Sequence, residues 1–175
     1  MSIDRTYMDS CCFIEAVKYD VSTTDPDREN DIWYIKQLLK ASKSGDIEVI
    51  TSVLTIAESR RADGEPTDEV KRLFSSILTS GRVVKLAQMT QGIAEKARDL
   101  HWVNKINLSG ADALHVATAL LLGCKEFLTF DFKRKSPLKF EKELRALGLL
   151  VIAPSETTCL PSDYRQGHLL DSESK

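Results

Sequence analysis

Short apolar segments of strand character alternate along this chain with longer segments whose apolar residues recur every three to four positions, and this alternation limits the possible folds more than any other feature. Thr6–Met8 leading into Asp9, Ile47–Ile50, Val83–Leu86, Glu126–Phe130 and Leu149–Ile152 read as strands. Between them, Cys11–Val17, Asp31–Lys43 (through Ile32, Ile35, Leu38 and Leu39), the stretch opened by Pro66, Gln91–Trp102, Gly110–Leu122 and Glu141–Leu147 read as helices. Gly45 and Gly123 stop two of them, and Asp63-Gly64 stops a shorter one that carries Leu54, Ala57 and Glu58. Strands alternating with helices predict an α/β fold whose mostly parallel sheet is covered by helices on both faces.

At 175 residues the chain fits one domain, and no repeat or second core is visible. Periodicity runs to Pro154, so residues 1–154 are read as the domain and 155–175 as a polar tail. The net charge of −2 argues against a protein that coats duplex DNA electrostatically, so any contact with nucleic acid must be local. Positive charge clusters at Arg60-Arg61 and at Lys133-Arg134-Lys135, runs that serve either as solvated surface or as phosphate contacts. The four cysteines, at 11, 12, 124 and 159, form no Cys-x-x-Cys pair and none has a histidine at ligand spacing, which argues against structural zinc. Cys11-Cys12 reads as a pair of buried small hydrophobes. The N-terminus lacks the pattern of a secretory leader and no apolar run approaches membrane-spanning length, so the expectation is a reduced, cytosolic protein.

In parallel sheets, sites form beyond the carboxyl ends of the strands where strand order reverses. Asp9 follows the first strand and Asp131 the fourth, while Glu58 lies early in the helix after the second strand and Asp112 in the first turn of the long apolar helix. Four carboxylates gathered at one edge would repel, and a hard cation with oxygen ligands, Mg²⁺ or Mn²⁺, removes that conflict. Such cations activate water and stabilise the charge that develops on a phosphodiester in flight. The chain offers no nucleophile–base motif that would compete with this chemistry.

Each acid has a structural reading as well. Asp112 is the third residue after Ser109, close to a capping box. Asp9 and Asp131 are strand-end turn acids. Glu58 is a solvated helix carboxylate within reach of Arg60 or Arg61. His115 stands three residues after Asp112 on one helix face, within reach of a hydrogen bond, and reads as a satisfied core or interface residue with no catalytic role. Trp33, Tyr34 and Trp102 likewise read as core or interface residues at helical spacing. Joint placement of the four acids at one edge favours the metal site.

Four segments carry a resemblance to the PIN-domain family of metal-dependent nucleases, particularly its VapC-like branch. They are Tyr-Met-Asp-Ser around Asp9, Thr-Ser-Val-Leu-Thr-Ile-Ala-Glu ending at Glu58, Ser-Gly-Ala-Asp-Ala-Leu-His-Val-Ala-Thr-Ala-Leu around Asp112, and Leu-Thr-Phe-Asp-Phe around Asp131. The resemblance implies a three-layer α/β/α fold, a catalytic and metal-binding quartet of Asp9, Glu58, Asp112 and Asp131, Mg²⁺ or Mn²⁺, and endonuclease activity on RNA. It also implies a supporting hydroxyl at Ser10, whereas Cys11 departs from the residues usual at its position. Arg60, Arg61, Lys133, Arg134 and Lys135 are the candidates for contacts to the substrate backbone. The VapC-like branch further implies a toxin with a partner protein that blocks the site, and a homodimer. Two other functions compete: a non-catalytic RNA-binding or assembly module, which would have lost acids, and a phosphatase with an Asp-x-Asp nucleophile, where this chain has Cys11 as the second residue.

Overall fold

A computed structural model describes residues 3–21, 26–59 and 66–166. Five strands, β1 (Arg5–Met8), β2 (Glu48–Ser52), β3 (Lys85–Ala87), β4 (Glu126–Leu128) and β5 (Leu150–Ile152), form one sheet in the order β3-β2-β1-β4-β5. All four pairings are parallel, with Tyr7 opposite Ile50 on one side and Phe127 on the other. The mostly parallel sheet expected from the alternation is therefore wholly parallel.

Among the described residues, seven α-helices flank the sheet: α1 (Ser10–Val21), α2 (Glu29–Ser44), α3 (Leu54–Glu58), α4 (Asp68–Phe74), α5 (Gln91–Trp102), α6 (Gly110–Leu121) and α7 (Glu141–Ala146). Side chains of a strand alternate between faces, and the two faces build two cores. Met8, Val49, Leu128 and Ile152 pack with Cys12, Phe13 and Ala16 of α1 and with Ile35, Leu38 and Leu39 of α2. Tyr7, Ile50, Phe127 and Val151 pack with Ile93, Ala97 and Leu100 of α5, Val116, Ala117 and Ala119 of α6, and Leu144 of α7. Helices thus cover both faces of the sheet, as a parallel sheet requires. The result is the three-layer α/β/α arrangement.

Local chemistry sets the helix ends. Gly45 closes α2 at φ +86°, a left-handed conformation that costs glycine little, and its N–H reaches the carbonyls of Ala41 and Ser42. Thr67, Thr90 and Ser109 cap α4, α5 and α6, each accepting a backbone N–H three residues on. The helical stretch expected after Pro66 is α4 followed by a π-helical turn, Ser75–Thr79, whose Leu78 is buried. Asp63-Gly64 lies outside the described residues.

Beyond Pro154, where the sequence loses periodicity, Thr157, Cys159 and Leu160 are buried. They are held by Glu126, itself only 1% exposed, which accepts the hydroxyls of Thr157 and Thr158 at 2.6 Å each and the N–H of Thr158 at 2.7 Å. Residues 167–175 lie outside the described residues.

Candidate metal centre

The strand order reverses at β1, which has β2 on one side and β4 on the other. The crevice beyond the carboxyl ends of β1 and β4 is thus the place where a parallel sheet opens to a ligand. Asp9 follows β1 directly, and Asp131 lies three residues beyond the end of β4. Glu58 is the last residue of α3, and Asp112 sits in the first turn of α6. All four acids line one cleft of about 480 Å³, together with Ser10, Cys11, Arg28, Ser109, Phe130, Lys133 and Lys135.

Asp9 is buried, and its carboxylate is held from both sides. Its Oδ1 accepts the backbone N–H of Ser10 at 2.7 Å, and its Oδ2 accepts the hydroxyl of Thr129 at 2.8 Å. The Ser10 hydroxyl stands at 3.5 Å, so this residue supports Asp9 chiefly through its backbone. Cys11 corrects the expectation of two buried small hydrophobes. Cys12 is buried, but the half-buried Cys11 thiol lies 3.4 Å from Asp9 Oδ2 and 3.4 Å from the Thr129 hydroxyl, and it accepts the N–H of Phe130 at 3.3 Å.

Asp112 both takes part in a helix cap and lines the cleft. Ser109 Oγ accepts the Asp112 N–H at 3.3 Å and donates to Asp112 Oδ2 at 2.6 Å, so the cap is real, and the same carboxylate faces the cleft. Burial raises the Asp112 pKa above the usual aspartate value; the Ser109 hydrogen bond opposes that, and the negative charges of Asp9 and Asp131 add to it. Asp131 also has a turn role: its Oδ1 accepts the Lys133 N–H at 2.9 Å, and its Oδ2 stands 3.3 Å from the exposed Lys133 ammonium.

Glu58 faces a partner that sequence reasoning had set aside. Its Oε2 lies 3.0 Å from Nε2 of His115, which is 1% exposed, and Nδ1 of the same ring lies 2.6 Å from the Tyr7 hydroxyl. Burial opposes the charged imidazole, but the Glu58 hydrogen bond and the charges of Asp9, Glu58 and Asp112 outweigh it, so the His115 pKa is raised. One ligand atom each from Asp9, Glu58 and His115 lie within 4.8 Å of one another. His115 is indeed a satisfied core residue, but what satisfies it is a site carboxylate.

Of the basic candidates, Lys133 and Lys135 line the cleft, while Arg134 is exposed and is not among the lining residues. Arg60 and Arg61 lie outside the described residues. Arg28 does line the cleft, its guanidinium 4.9 Å from the centre of the Phe130 ring. It was missed because the polar segment around it gives no spacing signal. Trp33, Tyr34 and Trp102 take no part: Tyr34 packs edge-on against Trp33, and Trp102 is exposed beneath Arg98.

The donor set suits a hard divalent cation. Four carboxylates line the cleft, and the burial that raises the Asp112 pKa, with the added repulsion of Asp9 and Asp131, is the conflict a cation relieves. The acids lining the cleft could hold such an ion, and Arg28, Lys133 and Lys135 line the same cleft.

The PIN domain family matches residues 7–136 of this chain. No curated protein matches it. Among solved structures, a chain of FitAB bound to the IR36 DNA fragment superposes with a TM-score of 0.56 at 17% identity, covering 87% of this chain and 96% of the other. A chain of FitAcB from Neisseria gonorrhoeae gives 0.49 at 15% identity, covering 87% and 99%. At 17% identity the first of these likenesses concerns the fold alone. Among the described residues, no helix is long and apolar enough to cross a membrane.

Proposed function

This chain belongs to the PIN-domain family of nucleases, and from that premise we propose that it is a divalent-metal-dependent endoribonuclease of the VapC-like kind. The observation that carries this reading is the convergence of Asp9, Glu58, Asp112 and Asp131 on one cleft that also presents Arg28, Lys133 and Lys135. Bound by the four acids, Mg²⁺ or Mn²⁺ supplies Lewis-acid activation of water and offsets charge on the phosphodiester. The chain's own residues do the rest. Ser10 and Thr129 fix the Asp9 carboxylate, Ser109 fixes that of Asp112, and the basic side chains hold the phosphates on either side of the scissile bond. Water forms a bond to phosphorus and gives up a proton, the P–O bond to the neighbouring nucleotide breaks, and the leaving oxygen takes up a proton in turn, so hydrolysis neither gains nor loses protons beyond those of the water.

The VapC-like resemblance extends the proposal to a toxin that acts as a homodimer and is silenced by a protein inhibitor covering the cleft. A small open reading frame beside the gene, whose product co-purifies with this chain and stops cleavage, is the result expected.

Purified protein should cut single-stranded RNA with Mg²⁺ or Mn²⁺ and stop when EDTA is added. Folded Asp112→Asn should be slower by orders of magnitude, since a lost metal ligand removes several kcal/mol of transition-state stabilisation. Protein that binds RNA of varied sequence without cutting it would instead be a binding module. Normal cutting by Asp112→Asn would overturn the site.

A further inference from the structure

A continuous hydrogen-bonded chain runs from the sheet into the cleft. The backbone N–H of Ser52 donates to the Tyr7 hydroxyl oxygen at 2.9 Å, Tyr7 meets His115 Nδ1 at 2.6 Å, and His115 Nε2 meets Glu58 Oε2 at 3.0 Å. Ser52 Oγ stands 3.3 Å from the same Nδ1. Tyr7 and His115 are buried, and Tyr7 is further fixed by stacking on Phe127 at 5.1 Å.

When the imidazole is neutral, its ring proton has only one consistent place. A carboxylate only accepts, so the ring proton facing Glu58 must sit on Nε2. Nδ1 is then an acceptor, and the Tyr7 hydroxyl, whose oxygen already accepts from Ser52, gives it its proton.

Resting on the nuclease reading above, we infer that His115 is a positioning residue that aims Glu58 at the metal, with Tyr7 and Ser52 holding its tautomer. Both ring nitrogens are engaged by protein groups, so His115 acts through Glu58 and does not take a coordination place of its own. Outer partners of this kind orient metal-ligating carboxylates, and their loss weakens metal binding by about 10–100-fold.

Two isosteres separate the halves of the ring. His115→Asn keeps a group near Nδ1 to meet Tyr7 but cannot reach Glu58, whereas His115→Gln carries an N–H donor out to the Nε2 position. Mn²⁺ binding, followed by electron paramagnetic resonance on folded protein, should weaken about 10–100-fold in His115→Asn and return to within about threefold of wild type in His115→Gln. Adding His115→Asn to Glu58→Gln should change affinity by no more than about twofold, because the two residues act as one unit. Wild-type affinity in His115→Asn, or losses that multiply in the double variant, would overturn the inference; multiplied losses with no recovery in His115→Gln would make His115 a ligand.

The wild type provides a test without substitution. Nitrogen-15 spectra of neutral His115 should show the Nε2–H tautomer, and the Nδ1–H tautomer would overturn the inference even if the variants fail to fold. Protein that binds Mn²⁺ but cuts no RNA removes the nuclease reading and leaves the affinity cycle to decide the role of His115. Protein that binds no Mn²⁺ removes both.

Discussion

The Thr129 hydroxyl donates to Asp9 Oδ2 across 2.8 Å and so fastens the chain beyond β4 to the end of β1. The same Thr129 oxygen accepts the N–H of Asp131 at 3.1 Å, so one hydroxyl sets the spacing of two site acids. Thr129→Val keeps the shape and removes the bond. A buried carboxylate losing a donor costs about 1–3 kcal/mol. Urea denaturation should show that loss, and Mn²⁺ affinity should fall about 10–100-fold. Unchanged affinity would mean that Asp9 does not need this support.

Asp112 has its pKa raised by burial and by the charges of Asp9 and Asp131, against the Ser109 hydrogen bond. The sign follows directly. A carboxyl whose folded pKa exceeds its unfolded value binds its proton more tightly in the folded state, so it favours folding below the unfolded pKa and loses that contribution as pH rises through the folded pKa. Metal-free Asp112→Asn should therefore melt above metal-free wild type at pH 7, and the gap should close as pH falls towards 4. Added Mn²⁺ should raise the melting temperature of wild type more than that of the variant. Thermal melts in EDTA and in Mn²⁺ check both statements.

Arg28 and Lys133 are expected to hold RNA, and their removal should affect binding and metal differently. Arg28→Ala should raise KM with little change in kcat, and should lower the salt dependence of RNA binding by about 0.7 in log–log slope for one lost phosphate contact. Lys133→Ala should weaken RNA in the same way but tighten Mn²⁺ slightly, because its ammonium stands 3.3 Å from Asp131 Oδ2. Fluorescence anisotropy across a salt series, beside a Mn²⁺ titration, distinguishes the two variants.

Glu126 is a buried acid outside the cleft and provides the contrast. Glu126→Ala removes the acceptor of three hydrogen bonds from Thr157 and Thr158, at a stability cost of about 2–3 kcal/mol. Its Mn²⁺ affinity should match wild type in the folded protein. Weakened Mn²⁺ binding would show that the acids of the two sheet edges are not independent.

What the sequence reveals here follows the range of the interactions. Helices α5 and α6 were legible to within a residue because the patterns that mark a helix are local. Asp9 and Asp131 were legible because a parallel sheet sends its strand ends to one edge. Thr129 and Arg28 were not singled out, and His115 was read as a core or interface residue with no catalytic role. Thr129 meets Asp9 across 120 positions and His115 meets Tyr7 across 108, and no spacing along a chain encodes such pairs. A histidine on an apolar helix looked like core, and it is core; only the fold shows that its far nitrogen meets Glu58. The packing of Thr157 to Leu160 was hidden for the same reason, since the residue that captures it is in β4.

The most direct measurement of the proposed centre is calorimetric titration of Mn²⁺ into folded wild type and into Asp9→Asn and Asp131→Asn, whose parent residues come from opposite sides of the β1–β4 crevice. A shared site predicts one binding event in wild type that weakens at least about tenfold in each variant, alongside loss of RNA cleavage. Wild-type binding in both variants would contradict a metal centre built from these acids.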